Sequence, residues 1–253
     1  PGYQADMVLL NSLQPLQIGR VYKKGKLVAE DGKCLVAKKP VAEKVQLFSM
    51  NLEELKEEDL RLQAQGSEMR AVRAVPNTLI TEEEIVTVAD RQGEAVSDAN
   101  RDLLKIVVIE RHQGSGRKGF GFVRGLGLRK GALASTVAHD SHNLVVVGVS
   151  DSDMVVAANT LRELGGGLVV VSDGQVRAQL PLPVAGLMTA ASLEQVVAWK
   201  KEVNQAALEL GATLEHPFMA LSFLALPVIP KLKLTDQGLV DVESFTHVPL
   251  FVD

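Results

Sequence analysis

The chain has 253 residues, 46% of them hydrophobic and 23% charged, which is typical of globular proteins and excludes collagen-like, coiled-coil and disordered chains. Its net charge of −4 argues against nucleic acid as a partner, because binding to phosphates requires a positive surface. The single cysteine, Cys34, excludes an internal disulfide and a cysteine zinc cluster. No apolar run approaches the roughly 20 residues of a membrane helix, so we expect no membrane partner either.

The first 35 residues predict short β-strands. A β-rich run indicates a strand over 5–10, and a hairpin is expected with strands 18–22 and 26–29 around a turn at Lys24 and Gly25. A hairpin of this size is only marginally stable alone, so it requires a larger sheet. The chain does not begin with methionine and opens without a secretory signal pattern. We therefore expect a segment of a longer protein.

A charged stretch follows the hairpin. Asn51 as an N-cap and leucines at one helical spacing predict a helix over 51–65 that ends at Gly66. Because most of its residues are charged, we expect this helix to be an exposed connector. Beyond it, β-rich runs predict strands at 69–75 and 85–88.

The remainder of the chain predicts one α+β unit. Buried strands are expected at 103–110, 144–149 and 168–171, and a turn at Asp173 and Gly174 leads into a further strand. Two helices are expected. The first covers 154–164 and ends at three glycines, and the second begins at a Ser192–Gln195 capping box and ends at Gly211. This order of elements favours a sheet with helices on one face.

The strongest candidate for chemistry is a polar run directly before the buried strand at 144–149: His139, Asp140, Ser141, His142 and Asn143. Five polar groups beside a buried strand are costly unless they are satisfied by one another, by water or by a ligand. Three interpretations are open. The run forms a polar turn, it binds a ligand or takes part in catalysis, or its two histidines and aspartate share a metal ion.

Other motifs favour structural roles. The glycine-rich stretch 114–119 matches neither GxxxxGK[ST] nor GxGxxG, so a flexible loop is favoured over a phosphate cradle. The three glycines at 165–167 follow a helix and therefore predict a helix end, and the proline-rich stretches 181–188 and 226–230 predict rigid walls. With no His-x-His pair, HExxH, GxSxG or CxxC, the residues alone show no complete catalytic set.

Four segments in order resemble the C-terminal domain of bacterial adenine deaminase. They are GFGFVRGLGL at 119–128, GALASTVAHDSHN at 131–143, LPLPVAGLM at 180–188 and LPVIPKLKLTDQGL at 226–239. The resemblance covers about residues 75–253. The opening ten residues and residues 25–29 are also similar to the strands that follow the barrel of amidohydrolases, where they close a small β-sandwich.

The resemblance implies an α+β fold with three parts. Residues 1–45 would end an amidohydrolase small β-domain, residues 46–75 would form a linker with a helix, and residues 76–253 would form the C-terminal α+β domain with a mixed sheet. It also implies that the intact protein is a cytoplasmic, homo-oligomeric hydrolase of purine salvage, which converts adenine to hypoxanthine and ammonia.

The same resemblance places the reactive centre outside this chain. A binuclear centre of manganese, iron or zinc in a (β/α)₈ barrel would activate the attacking water. The barrel is not in these 253 residues, so we expect no metal ligand here and no activity from the chain alone. The barrel would be supplied in cis or in trans.

The polar run at 139–143 matches the family's C-terminal motif, and two roles for it stay open. Its side chains could reach the barrel mouth and contact substrate or support the metal ligands, or they could organise the domain and its interfaces. An alternative function for the whole chain is a non-catalytic binding or assembly module that acts without the barrel.

Overall fold

The computed structural model describes residues 2–37 and 50–252, and the chain divides into two compact units, residues 1–44 and 45–253. The predicted boundary between residues 45 and 46 lies outside the described residues. In the first unit, four antiparallel strands form one sheet in chain order: β1 (Met7–Leu13), β2 (Leu16–Lys23), β3 (Lys26–Glu30) and β4 (Lys33–Cys34). The hairpin predicted around Lys24 and Gly25 is confirmed as β2 and β3.

The sheet of the first unit leaves most of its apolar side chains in contact with solvent. Leu13 is 75% exposed, Leu16 is 64% exposed, and Met7, Val8 and Leu9 are each about half exposed. A sheet is stable when an apolar face is covered by another layer. Residues 2–37 do not provide that layer.

The second unit contains three helices and most of the strands in the described residues. The strands are β5 (Glu68–Ala74), β6 (Thr81–Thr87), β7 (Asp90–Arg91), β8 (Glu94–Ala95), β9 (Leu104–Ile109), β10 (Lys118–Arg124), β11 (Ala132–Ser135), β12 (Leu144–Gly148), β13 (Gly167–Ser172), β14 (Gln175–Pro181), β15 (Leu232–Thr235), β16 (Gly238–Asp241) and β17 (Thr246–Val248). The helices are α1 (Asp151–Leu164), α2 (Leu193–Glu209) and α3 (Pro217–Leu224).

Eight strands form the central sheet in the order β14-β13-β11-β12-β9-β10-β5-β6. The pair β10 and β5 is parallel, and the other neighbours are antiparallel, so the predicted α+β class with a mixed sheet is confirmed. A separate three-stranded antiparallel sheet contains β15, β16 and β17. β5 lies inside the stretch 46–75 that was predicted as a linker, and it is a strand of the central sheet.

Both faces of the central sheet are covered, so the prediction of helices on one face was wrong. Val107 and Ile109 of β9 belong to the core that α1 covers, whereas Ile106 and Val108 belong to the core formed with α2, α3 and β15. Every residue of β9 is buried. Five of the six residues of β9 are apolar, and such a strand requires a layer on both sides, so this signal in the sequence favoured the three-layer arrangement.

The predicted helix over 51–65 was also wrong. This stretch contains only one 3₁₀ turn, Glu57–Leu60, and Leu55 and Leu60 are buried. The side-chain amide of Asn159 in α1 donates to the carbonyl of Leu55 at 2.8 Å and accepts from its N–H at 2.9 Å. The stretch therefore packs against α1 without forming an α-helix, and the side chain of a distant residue satisfies both backbone groups of Leu55.

The helix ends in the second unit follow local rules. Ser150 accepts a hydrogen bond from the N–H of Asp153 and caps α1, which begins at Asp151, three residues before the predicted start, and Gly165 ends it. Ser192 accepts from the N–H of Gln195 and begins α2 as predicted. Within the described ranges, no helix is long and apolar enough to cross a membrane.

Candidate functional site

The 139–143 loop connects β11 to β12, and the backbone folds back on itself there. The N–H of His142 donates to the carbonyl of Ala138 at 2.6 Å, and His142 itself has a left-handed φ of +50°. Asn143 is buried, His139 and His142 are half-buried, and Asp140 and Ser141 are exposed. The predicted polar turn is therefore present, and it presents part of its polar side chains to solvent.

A buried arginine anchors this loop. Arg111 lies two residues after the end of β9 and has no exposed surface, and its guanidinium donates to the carbonyl oxygens of His142 and, at 3.1 Å, Ala185. Burial lowers the pKa of Arg111 to about 10, and the neighbouring charge of Glu110 opposes this shift. The side chain is thus still a cation at neutral pH. It joins the 139–143 loop to the 181–188 segment, two stretches that share the family resemblance.

The 181–188 segment is shaped to lie against that guanidinium. A Cβ atom added at Gly186 would lie 2.8 Å from both terminal nitrogens of Arg111, so a side chain does not fit there. Thr136 holds the same turn in place, because its hydroxyl donates to the carbonyl of Gly186 at 2.6 Å and accepts from the N–H of Gly167 at 2.8 Å. This contact between two backbone segments explains the conformation of the proline-rich stretch better than an apolar wall does.

The glycine-rich stretch 114–119 begins in a loop whose N–H groups bind a carboxylate of the same chain. Glu110 is buried and accepts from the N–H groups of His112, Gln113 and Ser115 and from the Ser115 hydroxyl. Burial alone would raise the pKa of Glu110, but these hydrogen bonds together lower it to about 2. The position that a phosphate would take is therefore filled by Glu110.

A second polar link joins the loop to the 226–239 segment. Asn143 donates through Nδ2 to Oδ1 of Asp236 at 3.1 Å, and Arg117 donates to Oδ2 of the same carboxylate at 2.8 Å. Asn143 and Asp236 are buried, whereas the Arg117 side chain is half exposed. Oδ1 of Asn143 is buried without a donor among the described residues. This orphan acceptor is the kind of group that a water molecule or a ligand satisfies.

Three imidazoles lie near the loop. The rings of His139 and His142 are 6.0 Å apart in an edge-on arrangement, and His139 also packs against Phe223 at 4.8 Å. Nε2 of His112 lies 2.9 Å from the carbonyl oxygen of Ser141. Burial lowers the pKa of His142, and the nearby His139 and Arg111 lower it further. The surroundings of His142 therefore favour its neutral form.

The described residues do not fit a metal centre. Among residues 2–37 and 50–252, no three or more His, Cys, Asp and Glu side chains are grouped so that they could hold an ion. His139, Asp140 and His142 thus do not form the metal site that their spacing allowed. We assign no ligand of a binuclear centre to these residues.

The sequence predicted the loop but missed the residues that hold it. These are Glu110, Arg111, Arg117 and Asp236, whose hydrogen-bond partners lie 2–119 positions away. One signal was available: the charged pair Glu110–Arg111 directly follows four consecutive apolar strand residues, Ile106 to Ile109. Charges at the end of a buried strand are rarely left unpaired, so this pair pointed to a buried polar network.

These features define a mixed-sheet α+β domain in which a polar loop is held by a buried arginine. The profile of the adenine deaminase C-terminal domain matches residues 78–246, and the chain belongs to this family. Relatives named adenine deaminase are 47% identical over 251 residues in Oleidesulfovibrio alaskensis and 42% identical over 257 residues in Bacillus pumilus. One named adenine deaminase 2, from Carboxydothermus hydrogenoformans, is 45% identical over 251 residues.

The matches cover nearly all of this chain but less than half of each relative. For these three proteins the match includes 99% of the chain and 43–44% of the relative's own length. The chain therefore corresponds to one part of a longer protein in these relatives.

Proposed function

We propose that this chain is the C-terminal part of an adenine deaminase, which hydrolyses adenine to hypoxanthine and ammonia. The observation that carries the proposal is the identity of 42–47% over 99% of the chain with proteins of that name. In the proposed enzyme, a barrel-bearing segment outside these residues supplies the binuclear manganese, iron or zinc centre that activates water. The intact protein would be a cytoplasmic homo-oligomer that acts in purine salvage.

The exposed sheet of the first unit supports a missing partner segment. Leu13, Leu16 and their neighbours leave an apolar surface in water, and burying a large apolar side chain stabilises a protein by about 1.5–3 kcal/mol. The relatives have more than half of their length outside the matched part. We propose that this additional segment, in cis or in trans, covers the sheet and completes the small β-domain.

For the 139–143 loop, the geometry is compatible with both roles. The backbone atoms suit a role in organising the domain, and the exposed side chains suit contact with substrate or with the metal site. The backbone carbonyls of Ser141 and His142 bind His112 and Arg111, which fixes the shape of the loop. The side chains of Asp140 and Ser141 are exposed on that fixed backbone. We propose that the backbone organises the domain, while the exposed side chains contact substrate or support the metal site of the intact enzyme.

Reconstitution tests the proposal. The 253-residue chain is mixed with manganese and with the part of the Oleidesulfovibrio alaskensis relative that lies outside its matched region. Ammonia release from adenine is then measured. We expect activity from the mixture and none from the 253-residue chain alone. Hydrogen exchange provides a second measurement, because residues 7–34 should exchange quickly in the isolated chain and become protected in the mixture.

The outcomes separate the proposal from the alternative module. Adenine hydrolysis by the isolated chain, purified free of any full-length enzyme, would contradict the proposal that the reactive centre lies outside this chain. Protection of residues 7–34 without ammonia release would instead favour the non-catalytic assembly module. A mixture that shows neither protection of residues 7–34 nor ammonia release would count against both the enzyme and the assembly module.

A further inference from the structure

A cleft of about 400 Å³ lies next to the 139–143 loop, in the size range of small-molecule sites. Its walls are mostly apolar and come from the stretch after α3 and from β16, including Leu226, Pro227 and Val240. Phe245 stands at the cleft with 76% of its surface exposed. An exposed phenyl ring beside apolar walls is suited to stacking on a planar ligand.

The polar side of the cleft is rich in hydrogen-bond acceptors. Asp236 lines the cleft, and Asn143, which donates to Asp236 but does not line the cleft itself, has a buried Oδ1 with no donor among the described residues. A carboxylate and an amide oxygen both require N–H or O–H donors. Arg117 already pairs with Asp236, so the charge of the carboxylate is compensated. Asp140 adds a second carboxylate to the lining, so a ligand that donates hydrogen bonds is favoured.

The rim of the cleft adds side chains that can form hydrogen bonds with the edge of a ring-shaped ligand. Gln237 can donate and accept, and so can the imidazole of His247 and the hydroxyl of Ser141. A neutral, planar molecule with apolar faces and N–H donors along its edge fits this combination. Aminopurine bases have this chemistry.

We propose that this cleft binds adenine through stacking on Phe245 and through N–H donation towards Asp236. The choice of adenine among planar N–H donors rests on the proposed function. Hypoxanthine carries a carbonyl oxygen in place of the exocyclic amine, and this oxygen would face acceptors. The product should therefore bind more weakly than the substrate.

Calorimetric titration of the 253-residue chain with adenine tests the inference. Phe245→Ala removes the stacking ring at an exposed position and should weaken binding about tenfold. Val228→Glu, at a cleft residue that is 58% exposed, should block the mouth and weaken binding at least about tenfold. Met219→Ala is the matched control, because Met219 is 52% exposed and lines a different cleft.

Several results would overturn the inference. They are the absence of adenine binding up to its solubility limit, binding that both cleft variants leave unchanged, and equal weakening by Met219→Ala. Failure here is distinguishable from failure of the proposed function. Ammonia release from the reconstituted mixture without adenine binding to the chain refutes only the proposal that the cleft binds adenine. Adenine binding at the cleft without any reconstituted activity refutes only the proposed deaminase function.

Discussion

Two sheets in this chain contain similarly apolar strands but are covered to opposite extents. In β1, Met7 to Leu10 are four consecutive apolar residues, each 41–54% exposed. In β12, Leu144 to Val147 are also four consecutive apolar residues, and each is at most 1% exposed. Composition therefore predicts both strands equally well. The first has no covering layer within residues 2–37, whereas the second is covered within its own unit by α1 on one face and by α2 and α3 on the other.

This contrast shows where the stability of the isolated chain originates. Apolar side chains stabilise a fold in proportion to the surface that they remove from water. The central sheet does so inside this chain, whereas the first sheet would do so only when another surface covers it. The same kind of substitution should thus have very different effects in the two sheets.

The largest expected difference comes from truncating one leucine in each sheet. Leu133→Ala in β11 removes a side chain that is 1% exposed and should lower the free energy of unfolding by about 4 kcal/mol, through lost burial and a new cavity. Leu13→Ala in β1 removes one that is 75% exposed and should change it by less than about 0.5 kcal/mol. Urea denaturation of the isolated chain measures both.

Leu133→Val is the control for Leu133→Ala, because it removes less volume and should lower the free energy of unfolding by less. A large effect of Leu13→Ala would contradict the comparison. It would mean that the first sheet is already covered in the isolated chain, for example by self-association, which a dependence on protein concentration would reveal.

Local signals in the sequence predicted much of the central fold. The Ser192 cap, the Asp173–Gly174 turn and the apolar strand before Glu110 each depend on residues a few positions apart. The helix expected over 51–65 failed because its alternative partner, Asn159, is more than 100 positions away. Local pattern therefore predicted the elements, but it did not predict which tertiary contact would override helix propensity.

The candidate site shows the same division. The polar residues at 139–143 stood out because they precede a buried strand, and the structure places them in one loop. Arg111 and Asp236, which hold this loop, are 31 and 93 positions from their partners in it. No spacing rule connects residues so far apart. The resemblance grouped the segments by family, but only the fold shows which side chains join them.

The comparison between the two sheets can be sharpened at Arg111, a buried residue close to the end of β9 in the central sheet. Arg111→Met removes the donors to two carbonyl oxygens and should lower the free energy of unfolding by about 3 kcal/mol. Gly186→Ala should also destabilise the protein, because φ is +71° there and the new Cβ would lie 2.8 Å from the guanidinium nitrogens. The double variant should lose less free energy of unfolding than the two single variants together, since the flexible methionine side chain can move away from the new Cβ. Urea denaturation in a double-mutant cycle measures the coupling.

Gly174→Ala provides a matched control for Gly186→Ala. Gly174 has the same φ of +71°, but no atom lies within 4 Å of its hypothetical Cβ. It should therefore show the backbone cost alone, about 1–2 kcal/mol. If the two glycine variants are equally destabilised, the contact between Gly186 and Arg111 does not hold the turn.

The smallest expected effect is the pH dependence that Glu110 adds to the central sheet. Its pKa is about 2 in the folded chain, against an ordinary value of 4.5. A lowered carboxyl pKa stabilises the fold above 4.5, and this contribution is lost as the pH falls from 4.5 towards 2. Between pH 5 and pH 3 the free energy of unfolding should fall by about 2 kcal/mol from this group alone. Urea denaturation at both pH values measures the change.

Glu110→Gln isolates this contribution from those of the other carboxyl groups. Glutamine keeps a carbonyl oxygen that accepts from the 112–115 loop but does not titrate. The variant should be less stable than the wild type at pH 5, and the difference should shrink by about 2 kcal/mol at pH 3. A constant difference across this range would show that the N–H groups of the loop do not bind the ionised carboxylate, and the loop would again be open to an external anion.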